Sequence, residues 1–383
     1  MDLVGRMRQH GPTIFTEISA LAQRYDAVNL GQGFPDTDGP PEMLAAAVRA
    51  IESGQNQYPP LGGRPELLAA IAAHQQHWYG LSVDPASELL VTVGATEAIA
   101  ATILAFCEPG DEVVMFEPYY DSYAAMVDLA GAVRRTAVLR FPDFAVDEAE
   151  LRAAFSPRTR LVLLNSPHNP TGKVFSRAEL DLIARLAIEY DCWVVTDEVY
   201  EHLTFGVAHI PLAGLPGMAE RTLTISSAGK TFSATGWKVG WVSGPAEAVT
   251  AIRTVKQFLT FGAGGPFQLA AATALALPDA TFTGLRDQLW AKRDLLVDAL
   301  GVAGLPVAVP AGTYFVVADA APLGVRDANA FARELPRRFG VAAIPVQVFH
   351  DDPAAAPTLL RFAFCKRDGV LREGAARLTR LGG

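Results

Sequence analysis

The sequence predicts an α/β protein in which a large doubly wound domain is followed by a smaller α+β domain. Between residues 41 and 285, short apolar runs alternate with Ala- and Leu-rich helical runs. Because most of the apolar runs are continuous, they are typical of strands buried on both faces of a parallel or mixed sheet. The helical runs have the length of crossover connections, which favours a sheet sandwiched by helices. After residue 286 this alternation ends.

The large domain is expected to begin with two helices and to continue with six strands. The segment PPEMLAAAVRAIESG is opened by proline and closed by glycine, and ELLAAIAAHQQHWYG follows it as a second predicted helix. ATEAIAATILAF and SRAELDLIARLAIEY are predicted crossover helices. The six predicted strands are LLVTVG (89–94), EVVMF (112–116), RLVLLN (160–165), CWVVTD (192–197), TLTIS (222–226) and KVGWVS (238–243).

The rest of the chain is expected to form a small domain and an N-terminal arm. A long predicted helix, GLRDQLWAKRDLLVDALG, leads into VAVPAGTYFVVADA, a second helix DANAFARELPRRFG, and the runs VAAIPVQVF and LLRFAFC. The 383 residues then divide into an arm at 1–40 that packs on the small domain, a large domain at 41–285 and a small domain at 286–383.

Composition argues against several classes of protein. The net charge is −9 with acidic and basic residues mixed, which disfavours a nucleic-acid partner. Cys107, Cys192 and Cys365 form no CxxC pair, so no disulfide scaffold or metal site is expected, and a reducing cytoplasm fits. The N-terminal residues lack the apolar core of a signal peptide. The longest apolar run, AIAATILAFC, is too short to cross a membrane.

Five of the predicted strands end in polar or aromatic residues, and ligands of open α/β sheets bind outside the carboxyl ends of the strands. Each group alone has an ordinary interpretation as a turn, a packing aromatic, a helix cap or a solvated lysine. Together they offer a helix N-terminus, an aromatic ring, an amide, a carboxylate and a lysine. In chain order they are Gly94, Ala95, Thr96, Tyr119, Tyr120, Asn169, Asp197, Tyr200, Ser227 and Lys230.

One cofactor, pyridoxal 5'-phosphate, needs all of these groups. Its aldehyde forms a Schiff base with a lysine, and its ring nitrogen needs a carboxylate. Its phosphate needs backbone N–H groups, hydroxyls and a cation. Lys230 and Lys238 are the only charged residues between Thr222 and Ala246. This pair fits one lysine that bonds covalently to the cofactor aldehyde and one that pairs with the cofactor phosphate. A dinucleotide site fits less well, because LGQGFPD lacks the third glycine.

The chain resembles the class I/II aminotransferases of PLP fold type I over nearly its whole length. Their motifs occur in the family's order as NLGQGFPD, NQYPPLGG, VGATEAI, EPYYDSY, NSPHNPTGKVF, TDEVYEHL, SSAGKTFSATGWKVGW and LLRFAFCK. The resemblance is close to the kynurenine aminotransferase/glutamine transaminase K branch. It is closer still to the actinobacterial N-succinyldiaminopimelate aminotransferases, through LGQGFPDTDGPP, VGATEAIAA, LTFGAGGPFQ and GVAAIP.

The resemblance implies a role for each matching residue. Lys230 would form the Schiff base and move the proton, with Asp197 at the ring nitrogen. Arg361 would take the substrate α-carboxylate with help from Gly33 and Asn169, and Phe15 would line the side-chain pocket. The remaining cofactor contacts would be Tyr119 against the ring face, Asn169 and Tyr200 at the phenolic oxygen, and Gly94, Ala95, Thr96, Ser227, Lys238 and the neighbouring subunit's Tyr58 around the phosphate. A homodimer follows from this last contact.

The expected activity is a ping-pong transfer of an amino group to a 2-oxo acid, with 2-oxoglutarate as the partner. The donor is expected to be N-succinyldiaminopimelate, as in lysine biosynthesis, or a broad set of apolar and aromatic amino acids. Relatives of the kynurenine type often carry Phe-His where this chain has Phe261-Gly262, which disfavours kynurenine. The alternatives are a kynurenine-, glutamine- or methionine-type transaminase, a cysteine-conjugate β-lyase on the same site, and, more remotely, a PLP-binding regulator without catalysis.

Overall fold

A computed structural model describes residues 4–8, 10–11 and 13–382. Residues 1–3, 9 and 12 of the predicted arm, and residue 383, lie outside the described residues. The described strands are β1 Val28–Asn29, β2 Leu89–Val93, β3 Glu112–Glu117, β4 Val133–Val138, β5 Thr159–Asn165, β6 Trp193–Asp197, β7 Thr222–Ser227, β8 Val239–Ser243, β9 Val307–Ala308, β10 Phe315–Asp319, β11 Val341–Ala342, β12 Ile344–Pro345 and β13 Leu359–Ala363.

Helices alternate with these strands as the sequence pattern predicts. They are α1 Ile14–Arg24, α2 Pro41–Glu52, α3 Pro65–Tyr79, α4 Gly94–Phe106, α5 Asp121–Ala130, α6 Glu148–Ala154, α7 Arg177–Glu189, α8 Ala228–Thr231, α9 Ala246–Leu259, α10 Gly265–Leu275, α11 Asp279–Val302, α12 Ala328–Phe339 and α13 Asp368–Leu378. Within the described ranges, no helix combines the length and the apolar character that crossing a bilayer requires.

The central sheet has seven strands in the order β2-β8-β7-β6-β5-β3-β4. Only β8 runs antiparallel to its neighbours, so β2 to β7 all point their carboxyl ends to the same edge. All six predicted strands are confirmed, each boundary to within one residue. The sequence pattern missed β4, an edge strand whose run VRRTAV carries two arginines and does not stand out as apolar.

Both faces of the central sheet are covered by helices, which confirms the predicted fold class. On one face Val114 and Val162 pack in the same buried cluster as Ile183 of α7. On the other face Val113 belongs to the cluster that includes Ile99 of α4. Alternate residues of one strand therefore enter different cores, which explains why its apolar run is continuous.

The C-terminal part forms a second sheet of four strands in the order β12-β13-β10-β9, all antiparallel. The N-terminal segment joins this part because β1 pairs with β11, and Arg333 of α12 donates to Glu17 of α1 at 2.6 Å. The predicted boundary at residue 286 falls inside α11, which runs unbroken from Asp279 to Val302. The division at 41, 285 and 286 stays a prediction.

Candidate active site

A cavity of about 400 Å³ opens where β2, β5, β6 and β7 end. The strand ends, the N-terminal segment and β13 of the second sheet all contribute side chains to its wall. Of the residues predicted for the site, all but Tyr58 and Tyr119 line it: Phe15, Gly33, Gly94, Ala95, Thr96, Asn169, Asp197, Tyr200, Ser227, Lys230, Lys238 and Arg361. Strands that share one direction therefore bring together groups that are far apart in the sequence.

The prediction that Tyr119 provides the aromatic face requires a correction. Tyr119 is buried outside the cavity, where its hydroxyl donates to Asp351 at 2.6 Å and its backbone N–H to Phe349. Tyr120 and Tyr123 line the cavity in its place. Successive side chains of an extended segment point in opposite directions, and these contacts with residues 349–351 decide which tyrosine faces the cavity.

Tyr58 lies on the surface, with 83% of its area exposed. Its ring meets that of Phe261 edge to face, with the ring centroids 5.7 Å apart. Gly262 next to Phe261 approaches Pro59, so the loop around residue 58 and the loop around residue 261 form one exposed aromatic patch. A large aromatic side chain that is mostly exposed has little packing role within its own chain.

Lys230 lies in the short helix α8 that follows β7, and its amine reaches the cavity without a partner. Within the described part of the chain its Nζ makes no hydrogen bond or ion pair, and it lies 5.9 Å from the ring centroid of Tyr200 and 5.8 Å from that of Tyr314. Burial lowers the pKa of Lys230, although Cys365 and Asp197 oppose the shift. Desolvation favours the neutral form of this amine, which is the form that acts as a nucleophile and a proton acceptor.

The start of α4 forms a cradle of backbone N–H groups with a lysine above it. Gly94 has φ +71°, and a side chain there would meet Lys238 at 3.2 Å. Lys238 itself has φ +55°, and its Nζ reaches Thr96 Oγ1 at 3.5 Å. A helix N-terminus with a nearby cation is an anion site suited to phosphate. Gly240 of β8 packs against this cradle: an added Cβ would lie 2.5 Å from the carbonyl carbon of Gly94.

Asp197 is a buried carboxylate at the end of β6 that hydrogen bonds hold in place. Its Oδ2 accepts from the Tyr123 hydroxyl at 2.6 Å, and its Oδ1 from the backbone N–H of Val199 at 3.3 Å. Burial raises the pKa of Asp197, and both hydrogen bonds oppose that rise. Asn165 donates to the Asp197 carbonyl at 2.8 Å and accepts from the Asn169 N–H at 2.7 Å, which joins two strand ends into one unit.

Arg361 of β13 enters the cavity from the second sheet and is 1% exposed. It donates to Asn169 Oδ1 at 2.9 Å and to the Gly31 carbonyl at 3.1 Å, and its Nε has no partner. Its guanidinium carbon lies 4.0 Å from the ring centroid of Phe315 and 5.2 Å from that of Phe15. Burial lowers the pKa of Arg361 to about 10. Among the described residues it has no carboxylate partner within 4.0 Å, so it is available to a carboxylate ligand.

Gly33 and Tyr200 lie on the wall near Arg361. A Cβ on Gly33 would lie 2.4 Å from Phe315 Cζ, so only glycine fits there, and its carbonyl accepts from the Tyr314 hydroxyl at 2.7 Å. The ring of Tyr200 meets that of Tyr314 edge to face at 5.3 Å. Burial raises the pKa of Tyr200, so its hydroxyl keeps its proton at neutral pH and can donate it in a hydrogen bond.

These groups fit pyridoxal phosphate as the chemistry of that cofactor demands. The site offers one unpartnered amine, one buried carboxylate, one anion cradle and aromatic rings on a shared wall. Sequence reasoning missed Tyr123 and Tyr314. The helical spacing of three between Tyr120 and Tyr123 could have indicated the first, because such residues share a helix face. Tyr314 carried no local signal.

Comparisons with known proteins agree with this chemistry. The family model for aminotransferase class I and II matches residues 25–378. The probable N-succinyldiaminopimelate aminotransferase DapC of Mycobacterium tuberculosis is 52% identical, over 98% of this chain and 98% of its own. A solved structure of the M. tuberculosis N-succinyldiaminopimelate aminotransferase has a TM-score of 0.97 at 52% identity, covering 99% of this chain and 100% of that one. The methionine aminotransferase of Escherichia coli is 41% identical, over 98% and 97% of the two chains.

The chain therefore belongs to the class I and II aminotransferases. It is a PLP-dependent transaminase of fold type I, which confirms the predicted family, enzyme class and cofactor. Its substrates are amino acids and 2-oxo acids.

Proposed function

We propose the following positions for the cofactor's contacts in this chain. Pyridoxal phosphate, when bound, supplies an aldehyde that bonds to amines and a ring that accepts the negative charge left when an amino acid loses its Cα proton. The residues that would hold it are Lys230 at the aldehyde, Asp197 at the ring nitrogen, Asn169 and Tyr200 at the phenolic oxygen, Tyr120 at the ring face, and Gly94, Ala95, Thr96, Ser227 and Lys238 at the phosphate.

Lys230 is the proton carrier in this proposal. Its Nζ takes the proton from the substrate Cα as general base and returns it as general acid. The lowered pKa of Lys230 favours the neutral amine that can accept a proton. Asp197 stays fixed by Tyr123 and Val199, so it holds a positive charge on the ring nitrogen without reorganising.

The buried guanidinium of Arg361 is the observation that carries the substrate assignment. A planar guanidinium accepts a carboxylate through two parallel hydrogen bonds, and every amino acid and 2-oxo acid has that carboxylate. The Phe15 and Phe315 rings, 5.2 and 4.0 Å from the guanidinium carbon, exclude water from it, which strengthens the ion pair. This contact would hold the donor in the cavity whose wall also carries Lys230.

The preferred donor in our proposal is N-succinyldiaminopimelate, with 2-oxoglutarate as the acceptor. The support is the high identity to the mycobacterial relative over the whole chain. A second candidate, an apolar donor such as methionine, is favoured by the aromatic and aliphatic part of the wall, formed by Phe15, Phe34, Ile99 and Phe315. The methionine aminotransferase of E. coli also shares 41% identity with the chain.

A donor panel distinguishes these candidates. The holoenzyme is mixed with each donor without a 2-oxo acid, and the loss of the yellow cofactor absorption is followed by stopped flow. We expect kcat/KM for N-succinyldiaminopimelate to exceed that for methionine at least tenfold. A higher kcat/KM for methionine than for N-succinyldiaminopimelate would instead support the apolar donor. Release of pyruvate and ammonia from a β-substituted donor, without an acceptor, would instead indicate a β-lyase.

We further propose that the enzyme is a cytoplasmic homodimer in which the exposed Tyr58 completes the neighbouring subunit's phosphate site. The support is the exposure of Tyr58 and of the Phe261 ring beside it. Co-expression of Tyr58→Ala and Lys230→Ala chains tests this. A mixed dimer would contain one site with both native residues and recover activity that neither variant has alone. No recovery in purified mixed dimers would contradict the shared site.

A further inference from the structure

A second cavity of about 400 Å³ lies beside α3 and α11 and shares no wall residue with the catalytic cavity. It is lined by aromatic residues, including Trp78, Phe282 and Trp290, and by the polar residues Glu201 and His202. Glu201 and His202 follow Tyr200 directly in the chain, and the transaminase chemistry uses neither of them.

Two histidines and a glutamate meet at the base of this cavity. His74 of α3 and His202 approach through their Nε2 atoms at 2.7 Å. One ligand atom from each of His74, Glu201 and His202 lies within 4.8 Å of the others. All three residues are buried, with relative exposures of 4%, 4% and 9%. The spacing of these residues in the sequence matches no metal motif, because α3 and the turn after β6 are 128 residues apart at the contact.

Glu201 has less compensation than a buried carboxylate normally requires. Its Oε1 accepts from the Ser226 hydroxyl at 2.6 Å, and its Oε2 is buried without a hydrogen bond of ordinary length. The Tyr79 hydroxyl and the rings of His74, His202 and His209 interact with it but bring no permanent positive charge. Across the described ranges, no Lys or Arg lies within 4.0 Å of it. Unpaired buried polar atoms are costly, and a buried carboxylate usually pairs with a cation or a metal.

We propose that His74, Glu201 and His202 bind one divalent transition-metal ion of the Zn²⁺ type. Two imidazole nitrogens and one carboxylate oxygen suit zinc, whereas magnesium and calcium prefer sites made only of oxygen. The ion would replace the hydrogen bond between the two histidines. The ring that donates from Nε2 in that bond would carry its proton on Nδ1 instead, so that both Nε2 atoms can bind the ion. The ion would also supply the positive charge that Glu201 lacks.

The required rearrangement is small. Zinc–nitrogen bonds of about 2.0–2.1 Å in a tetrahedral site separate two ligand nitrogens by about 3.3 Å. The His74 and His202 nitrogens, now 2.7 Å apart, must therefore move apart by about 0.6 Å. Because Glu201 and His202 line the cavity, an ion has a path to them, and the fourth coordination position can hold water.

The metal site adjoins the catalytic site through two chain neighbours. Glu201 follows Tyr200, and Ser226, which donates to Glu201, precedes Ser227. Tyr200 and Ser227 both line the catalytic cavity. The ion would therefore fix the backbone beneath two cofactor-facing residues without touching the cofactor.

Metal retention by the holoenzyme tests the proposal. Chelator-treated holoenzyme is dialysed against Zn²⁺, and bound metal is measured by mass spectrometry. We expect one Zn²⁺ per chain in the wild type. Loss of a residue that only orients a metal ligand weakens binding about 10- to 100-fold, so losing a ligand in His74→Gln, Glu201→Gln or His202→Gln should weaken it more than about 100-fold.

The matched control is His77→Gln, on the same helix as His74. His77 is exposed and pairs with Asp279, so its loss should leave zinc retention unchanged. No retained zinc in the wild type, or equal retention in the His202→Gln variant, would overturn the proposal. X-ray absorption on the zinc-loaded wild type identifies the metal ligands directly, so this test does not depend on whether the variants fold. It should show imidazole nitrogens at about 2.0–2.1 Å, and sulfur at about 2.3 Å would place the ion on a cysteine instead.

Discussion

Gly240 is the position where a single added methyl group should most directly disturb the phosphate cradle. It pairs with Thr92 on one neighbouring strand and with Ser227 on the other. An added Cβ would lie 2.5 Å from Gly94 C, 2.7 Å from Ala95 N and 2.8 Å from Gly94 Cα. All three atoms belong to the backbone, so no side chain can rotate away. Ordinary contact begins near 3.4 Å, so the start of α4 must move by 3.4 − 2.5, or 0.9 Å.

This displacement sets the expected size of the effect in Gly240→Ala. Overpacking of this kind costs about 1–3 kcal/mol. Cofactor binding requires the cradle in its native position, so the strain should appear as weaker binding of pyridoxal phosphate. At about 1.4 kcal/mol for each factor of ten, the Kd should rise about 5- to 140-fold. Titration of the apoenzyme with the cofactor, followed by absorbance, measures this change.

Gly236→Ala is the matched control, because nothing lies within 4 Å of an added Cβ there. Its cofactor affinity and thermal midpoint should equal those of the wild type. A Gly240→Ala enzyme with native affinity would refute the reasoning that β8 positions the cradle. A lowered thermal midpoint with unchanged affinity would refute it as well, since the strain would then have relaxed away from α4.

Three further changes follow from other contacts. Arg361→Gln should lower kcat/KM at least about 100-fold, because charge-assisted hydrogen bonds contribute about 1.5–3 kcal/mol each. The absorption spectrum of the bound cofactor should stay native. A normal kcat/KM in this variant would contradict the role of Arg361 in binding the carboxylate. Tyr123→Phe removes a 2.6 Å hydrogen bond from Asp197 and should lower kcat about 3- to 20-fold in steady-state assays, while Tyr119→Phe should change kcat little. A larger loss of kcat in Tyr119→Phe than in Tyr123→Phe would restore the original prediction for Tyr119. Burial alone would raise the pKa of Glu112, but hydrogen bonds from Arg135, Ser156 and Arg158 outweigh it and lower the pKa to about 2. The stability that Glu112 contributes is therefore present above its ordinary pKa of 4.5 and is lost as the pH falls toward 2. In urea unfolding, Glu112→Gln should lower the free energy of unfolding by about 1–3 kcal/mol at pH 7 and by progressively less between pH 4.5 and 2. The same difference between variant and wild type at every pH would contradict this linkage.

The sequence predicted the architecture well where the physical signal is local. Continuous apolar runs located six strands to within a residue, because residues on both faces of a buried strand must be apolar. The charged edge strand β4 escaped this signal, since one side of an edge strand faces solvent. Ligands of such sheets bind outside the carboxyl ends of the strands, and this rule predicted from sequence alone that Lys230 and Asp197 line the cavity.

Other features depend on contacts between distant segments and could not be read locally. The choice between Tyr119 and Tyr120 rests on Asp351 and Phe349, more than two hundred residues away. The contact between His74 and His202 likewise depends on how α3 packs beside the turn after β6. The local sequence does not indicate such long-range contacts, because tertiary packing determines which distant residues come together.

The central claim is that Lys230 is the residue to which the cofactor bonds. Borohydride reduction of the holoenzyme converts that bond into a stable pyridoxyl-lysine, and peptide mass spectrometry then locates it. We predict a single modified peptide carrying the label at Lys230 in SSAGK, and no labelled lysine in a Lys230→Ala enzyme. A label at Lys238 or at any other lysine of the native enzyme would contradict the account.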